Sequence, residues 1–151
     1  MPQKKDKFDI FVEELQQEII DKELSDFNEY VVNLYHNPKN WGKPASFTIS
    51  YSYLGPRKKT MEFYLTIKEG IIKKANFFTD GCGATVATGS QTTLLIEGKT
   101  IQYAEKLKTE EINSALQGLP EDHKYSLELA VNALRNLIVQ YKTKRDQTDI
   151  K

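Results

Sequence analysis

The stretch Phe47-Thr48-Ile49-Ser50-Tyr51-Ser52-Tyr53 decides the fold. Apolar or aromatic side chains at 47, 49, 51 and 53 alternate with Thr48, Ser50 and Ser52, the period of two required by a strand with one buried and one wet face. Met61, Phe63, Leu65 and Ile67 repeat that period, and Glu69-Gly70 turns the chain into a third run from Ile71 to Phe78. Connections this short join antiparallel neighbours, whereas a parallel pair needs a long crossover. The expectation is a three-stranded antiparallel meander.

On both sides of the meander the period becomes helical. Upstream, Phe8, Phe11, Val12, Leu15, Ile19 and Ile20 gather on one side of a 3.6-residue repeat and predict a packed amphipathic helix over about 7–21. Ser25 is expected to cap a second helix carrying Phe27, Tyr30, Val31, Leu34 and Tyr35, which Asn37-Pro38 ends before the loop Trp41-Gly42-Lys43-Pro44. Downstream, Ala84 to Ile96 reads as a helix stopped by Glu97-Gly98, Thr100 and Thr109 as caps of two short helices, and Leu119-Pro120 as a break. A last helix over about 124–142 places Leu127, Ala130, Leu134, Leu137, Ile138 and Tyr141 on one face, and the charged residues after it are expected to fray. Helices, then strands, then helices predict an α+β fold with helices on one face of the sheet, plus an extra N-terminal helix. The chain divides into a helical extension over 1–24, a main domain over 25–142 and a tail over 143–151.

Composition narrows the function. With 21 basic and 21 acidic residues the formal net charge is zero, which gives no electrostatic drive toward nucleic acid or an anionic membrane. No apolar run approaches the roughly 20 residues that span a bilayer, and Met1-Pro2-Gln3-Lys4-Lys5-Asp6 lacks the apolar segment of a secretory signal, so a cytoplasmic location is expected. The single cysteine excludes an intrachain disulfide, so that thiol is either buried filler or chemistry.

The chemistry sits in Asp80-Gly81-Cys82-Gly83-Ala84-Thr85, where the third strand ends and a helix begins. Gly81 and Gly83 permit backbone angles closed to other residues and leave the sulfur approachable. Free amide protons at the helix start favour thiolate, the form that ligates metal or attacks sulfur. Two look-alike motifs fail. Gly81-Cys82-Gly83-Ala84-Thr85-Val86 has valine where a dinucleotide fingerprint needs its third glycine, and Gly98-Lys99-Thr100 follows a helix instead of the strand a phosphate loop needs.

The segment Asn28 to Asn40, with its Tyr35-His36-Asn37-Pro38-Lys39-Asn40 ending, resembles the helix that opens iron–sulfur cluster assembly scaffolds of the IscU/NifU N-terminal type. Gly70-Ile71-Ile72 through Phe77, Thr79 and Gly81-Cys82-Gly83 resemble their third strand and central cysteine turn. Glu97-Gly98-Lys99-Thr100 and Leu129-Ala130 to Ile138 are similar to their later helices. The resemblance runs in order from Phe27 to Tyr141. It implies a fold in which three cysteines and an aspartate converge to build a cluster from iron and from sulfur supplied by a cysteine desulfurase. Cys82 matches the central cysteine. The first cysteine and its aspartate fall on Arg57 and Lys59, the register being set by Gly55-Pro56 and Thr60-Met61-Glu62. The third cysteine falls on Ser126 and its preceding histidine on Tyr125. His123 lies two positions out of register, Thr88 stands where some members carry a further cysteine, and Leu119-Pro120-Glu121-Asp122-His123 replaces a proline-rich chaperone-recognition segment.

One thiol cannot hold a cluster that normally takes four ligands, and cations at 57 and 59 oppose iron. A cluster or iron is therefore expected only when shared, either with a partner or between two copies each giving Cys82, with His123 or an exogenous thiol completing the set. Arg57 and Lys59 near Cys82 are expected instead to favour a thiolate or persulfide; the ordinary alternative is a solvated hairpin turn, to which Lys58 belongs. The resemblance thus implies an assembly scaffold-like protein that accepts sulfur at Cys82 and works with a desulfurase or other iron–sulfur assembly proteins. The alternative is a non-catalytic adaptor that keeps the scaffold shape without metal. A thiol enzyme is disfavoured, since no histidine stands in register with Cys82 and no paired carboxylate supports it.

Overall fold

The structure is a computed structural model that describes residues 6–149. The ends of the chain on which the amino-terminal and tail readings partly rest, 1–5 and 150–151, lie outside the described residues. The elements are α1 (Lys7–Asp26), α2 (Glu29–His36), β1 (Ile49–Leu54), β2 (Thr60–Lys68), β3 (Ile71–Thr79), α3 (Gly83–Ile96), α4 (Ile101–Lys106), α5 (Thr109–Ala115), a 3-10 turn (Glu121–His123) and α6 (Tyr125–Asp149). The strands form the expected antiparallel sheet in the order β1-β2-β3.

Register aligns the apolar positions across the sheet. Tyr51 pairs with Phe63 and Phe63 with Phe77, while Ile49, Leu65 and Ala75 form the neighbouring row. Met61, Phe63, Leu65, Ile72 and Phe77 are fully buried beneath α3 and α6, each large side chain contributing about 1.5–3 kcal/mol. Alternate positions such as Ser52 and Lys74 face water. The one-sided α+β architecture therefore follows from the period of two.

α3 is buried nearly all round, although it carries many hydroxyl side chains. Thr88, Thr92 and Thr93 satisfy themselves on carbonyls of their own helix, and Gln91 pairs with Tyr30. Ser90 accepts from the Lys39 amide at 2.8 Å and donates to the Lys39 carbonyl at 3.0 Å. The Asn37-Pro38-Lys39-Asn40 turn is thereby fastened to the helix that begins at Cys82.

Four local expectations change. Helix α1 forms, yet none of its side chains is buried, and Phe8 remains 70% and Phe11 59% exposed. The apolar face of the sheet is already covered by α3 and α6, so α1 has no core left to enter. Asn28, not Ser25, caps α2: it accepts from the Val31 amide at 2.8 Å and donates to the Leu116 and Gly118 carbonyls, while Ser25 lies within α1 and donates back to Lys22. Thr100 caps α4 as expected, whereas Thr109 is the first residue of α5, whose cap is Lys108. Finally, α6 runs to Asp149, past Lys142 where the last helix was expected to end. No glycine or proline interrupts that segment, the Thr143 hydroxyl bonds to the Val139 carbonyl, and Lys142 pairs with Glu105.

Candidate functional site

The cysteine turn is held from below by the start of β2. The Thr79 hydroxyl donates to the Thr60 carbonyl at 2.6 Å and accepts from the Gly81 amide at 3.1 Å, while the Asp80 carboxylate accepts from the Thr60 amide at 2.7 Å. The flanking glycines serve close packing, since neither is among the residues of positive φ. A Cβ on Gly81 would stand 2.7 Å from the Thr85 side chain, and one on Gly83 would stand 2.9 Å from the Tyr35 ring. Glycine is needed here because neighbouring side chains fill the space.

Cys82 occupies the N-cap of α3, with its thiol exposed. Its sulfur lies 3.3 Å from the Tyr125 hydroxyl and 3.7 Å from the Thr85 hydroxyl. Partial burial opposes ionisation, but bonds from the Tyr125 hydroxyl, from Thr85 through amide and hydroxyl, and from the Ala84 amide outweigh it and bring the thiol down to about 7. Tyr125 moves the opposite way, raised first by its bond to Cys82 and then by burial and the thiolate charge, with Thr85 and Arg57 opposing.

Arg57 and Lys59 are not among the causes of the lowered thiol. The Arg57 guanidinium carbon lies 4.2 Å over the Tyr125 ring, so its charge acts on the residue that holds the sulfur instead of on the sulfur. Ser126 turns inward, fully buried, with its hydroxyl 2.9 Å from that of Thr85. Thr88 is buried as well and bonds to the Ala84 carbonyl. The His123 ring packs on Phe27 at 4.8 Å and stands 6.4 Å from the Tyr125 ring, and its Nδ1 is buried without a partner. Of the residues singled out in the sequence, Cys82, Tyr125 and Arg57 thus form one contiguous chain, with Ser126 behind it through Thr85.

Next to this chain, a cleft of about 260 Å³ separates the β1–β2 turn from the start of α6. Tyr53, Gly55, Pro56, Arg57 and Lys59 line one wall; Tyr125, Glu128, Leu129 and Asn132 line the other. The turn is built by a Lys58 amide bond to the Gly55 carbonyl at 3.0 Å and a Gly55 amide bond to the Lys59 carbonyl at 2.9 Å, with Lys58 left-handed at φ 61°. Lys58 does not line the cleft. Sequence reasoning missed Glu128 and Asn132, although their spacing from Tyr125 along one helical face would have revealed them.

As cargo, an iron–sulfur cluster does not fit this site within one chain. Among the described residues no three His, Cys, Asp or Glu side chains gather as metal ligands. The site offers one thiol beside a phenol, and the adjoining turn presents two cations, Arg57 and Lys59.

The sequence matches the family described as NifU-like N terminal domain over residues 26–148. It is 33% identical over 127 residues to the iron-sulfur cluster assembly scaffold protein IscU 1 of Archaeoglobus fulgidus, covering 82% of this chain and 81% of that one. It is 32% identical over 125 residues to the scaffold protein IscU of Escherichia coli K12, covering 80% of this chain and 97% of that one. In three dimensions it resembles the N-terminal NifU-like protein of Brucella abortus, with a TM-score of 0.60 at 17% identity over 78% of this chain and 94% of that one. A putative SUF-system scaffold of Fervidobacterium islandicum AW-1 superposes with a TM-score of 0.60 at 14% identity, covering 76% and 97%. These last two likenesses concern the fold.

Proposed function

Because the chain belongs to the NifU-like N-terminal domain family, we propose that it is an iron–sulfur assembly protein of the scaffold type that acts through a single thiol, accepting sulfur at Cys82. The observation that carries this reading is the Cys82 thiol, brought to about 7 by hydrogen bonds at a helix start and exposed to a donor. At neutral pH a large share of it is thiolate. The thiolate attacks the terminal sulfur of a persulfide on a cysteine desulfurase. The donor's sulfur–sulfur bond breaks, its own cysteine leaves as thiolate, and Cys82 retains the transferred sulfur as a persulfide. Tyr125 and the amides of α3 supply hydrogen bonds to the negative sulfur throughout.

The protein is thus a carrier and not a catalyst, and iron or a cluster is held only when a second copy or another assembly protein adds ligands. Anaerobic incubation with iron, a cysteine desulfurase and cysteine, on wild type and Cys82→Ser, tests this. A persulfide at Cys82 without cluster absorbance is expected. Cluster absorbance that disappears in the variant assigns shared assembly instead. Neither product, with desulfurase still bound, overturns sulfur acceptance in favour of an adaptor.

A further inference from the structure

The cleft beside Tyr125 carries two charges, Lys59 and Glu128, that sulfur acceptance does not use. Arg57 and Lys59 stand on the turn wall and Glu128 on the helix wall, and no ion pair joins Glu128 to either cation. Between them the floor is apolar: Gly55 and Leu129 are in such close contact that a Cβ on Gly55 would lie 2.7 Å from Leu129 Cδ1. Asn132 adds an amide that both donates and accepts. A purely anionic ligand would meet Glu128, and an apolar one would cover three charges without replacing their water. A small molecule with a carboxylate at one position and an ammonium at another satisfies both walls.

We propose that this cleft binds a free α-amino acid, the turn cations holding its carboxylate and Glu128 its ammonium, and that cystine is the member of this class delivered to Cys82. Tyr125 links the two places, since its ring lines the cleft and its hydroxyl lies 3.3 Å from the Cys82 sulfur. The chemistry is thiol–disulfide exchange. The Cys82 thiolate attacks one sulfur of cystine, a new disulfide forms as cystine's own breaks, and one cysteine leaves as thiolate. Cys82 is oxidised to a mixed disulfide, half of the cystine is reduced, and no further oxidant takes part. This rests on Cys82 being the reactive thiol of the proposed function.

The test compares mixed-disulfide formation, followed by intact mass, for cystine, cystamine and dithiodipropionate. Each rate is divided by that of the same reagent with N-acetylcysteine and by the iodoacetamide rate of the same variant. Wild type should favour cystine over cystamine, which lacks carboxylates, and over dithiodipropionate, which lacks ammonium. Lys59→Glu should slow cystine on the order of fivefold, the effect of a partly exposed charge pair, and speed cystamine. Glu128→Gln should slow cystine and cystamine but not dithiodipropionate. Rates that ignore reagent charge in all variants overturn the proposal, as does a wild-type preference for dithiodipropionate, which would mark a plain anion site. Slow alkylation by neutral iodoacetamide would defeat the reactive thiol itself, whereas charge-blind exchange with fast alkylation would defeat only the cleft.

Discussion

A side chain distant in sequence shapes the surroundings of the Cys82 sulfur. The Tyr125 hydroxyl lies 3.3 Å from the sulfur and is the donor once the sulfur is a thiolate, so Tyr125→Phe should leave the thiol packed but less acidic, with about tenfold less thiolate at pH 6–7, the expected effect of losing one hydrogen bond to a charged group. Iodoacetamide alkylation against pH measures it: the wild-type rate should rise through about pH 7, and the variant's rise should move upward. The sign for stability follows from the same shift. The folded thiol ionises near 7 and an ordinary one near 9.0, so its stabilising contribution is complete above the latter and lost as pH falls through the former. Exposure to water keeps that contribution small. Lys58 presents a different residue-level effect. It holds φ at 61°, where a Cβ is strained, so Lys58→Gly should stabilise by about 0.5 kcal/mol in urea unfolding, the relief of strain exceeding the extra freedom of the unfolded glycine.

Helix α3 carries Cys82, and its seat on the sheet depends on Gly89. A Cβ there would run into the ring of Phe77, which is fully buried in β3. Gly89→Ala should therefore destabilise by about 1–3 kcal/mol despite alanine's better helix propensity, because a close-packed ring has nowhere to move. Chemical denaturation checks the stability, and a changed alkylation midpoint would register displacement of the cysteine turn. α1 behaves oppositely. Its apolar repeat was legible in the sequence, and the helix forms, but periodicity reveals that residues share a side and not that anything lies opposite them. Ser25 and Asn28 teach the same lesson about caps. Both residue types suit an N-cap, and Asn28 wins because its amide also reaches the Leu116 and Gly118 carbonyls, about ninety residues on.

Across the whole molecule, the core is a layer of helices on one face of the sheet, and α1 lies outside it. Removing residues 1–26 should change the unfolding free energy by less than about 1 kcal/mol, because no apolar side chain of α1 is buried and the Glu23–His36 pair is partly exposed. A loss of several kcal/mol in urea denaturation would show α1 to be part of the core. Among the described residues no helix is long and apolar enough to cross a membrane. The sequence by itself determined the three strands, their order and the strand-to-helix turn that presents Cys82, because alternation, short connections and flanking turns are local properties of the chain. Only the tertiary structure decided how that thiol is tuned. Tyr125 lies 43 residues beyond Cys82, yet the packing of α6 against α3 brings its hydroxyl to the sulfur and sets Arg57 on its ring. In one dimension, Arg57, Lys59 and Ser126 were read only through the resemblance, which implied that they stand at ligand positions. In three dimensions Arg57 acts on Tyr125, Ser126 on Thr85, and Lys59 on a cleft, because burial and distance, which no local pattern encodes, assign each side chain its partner.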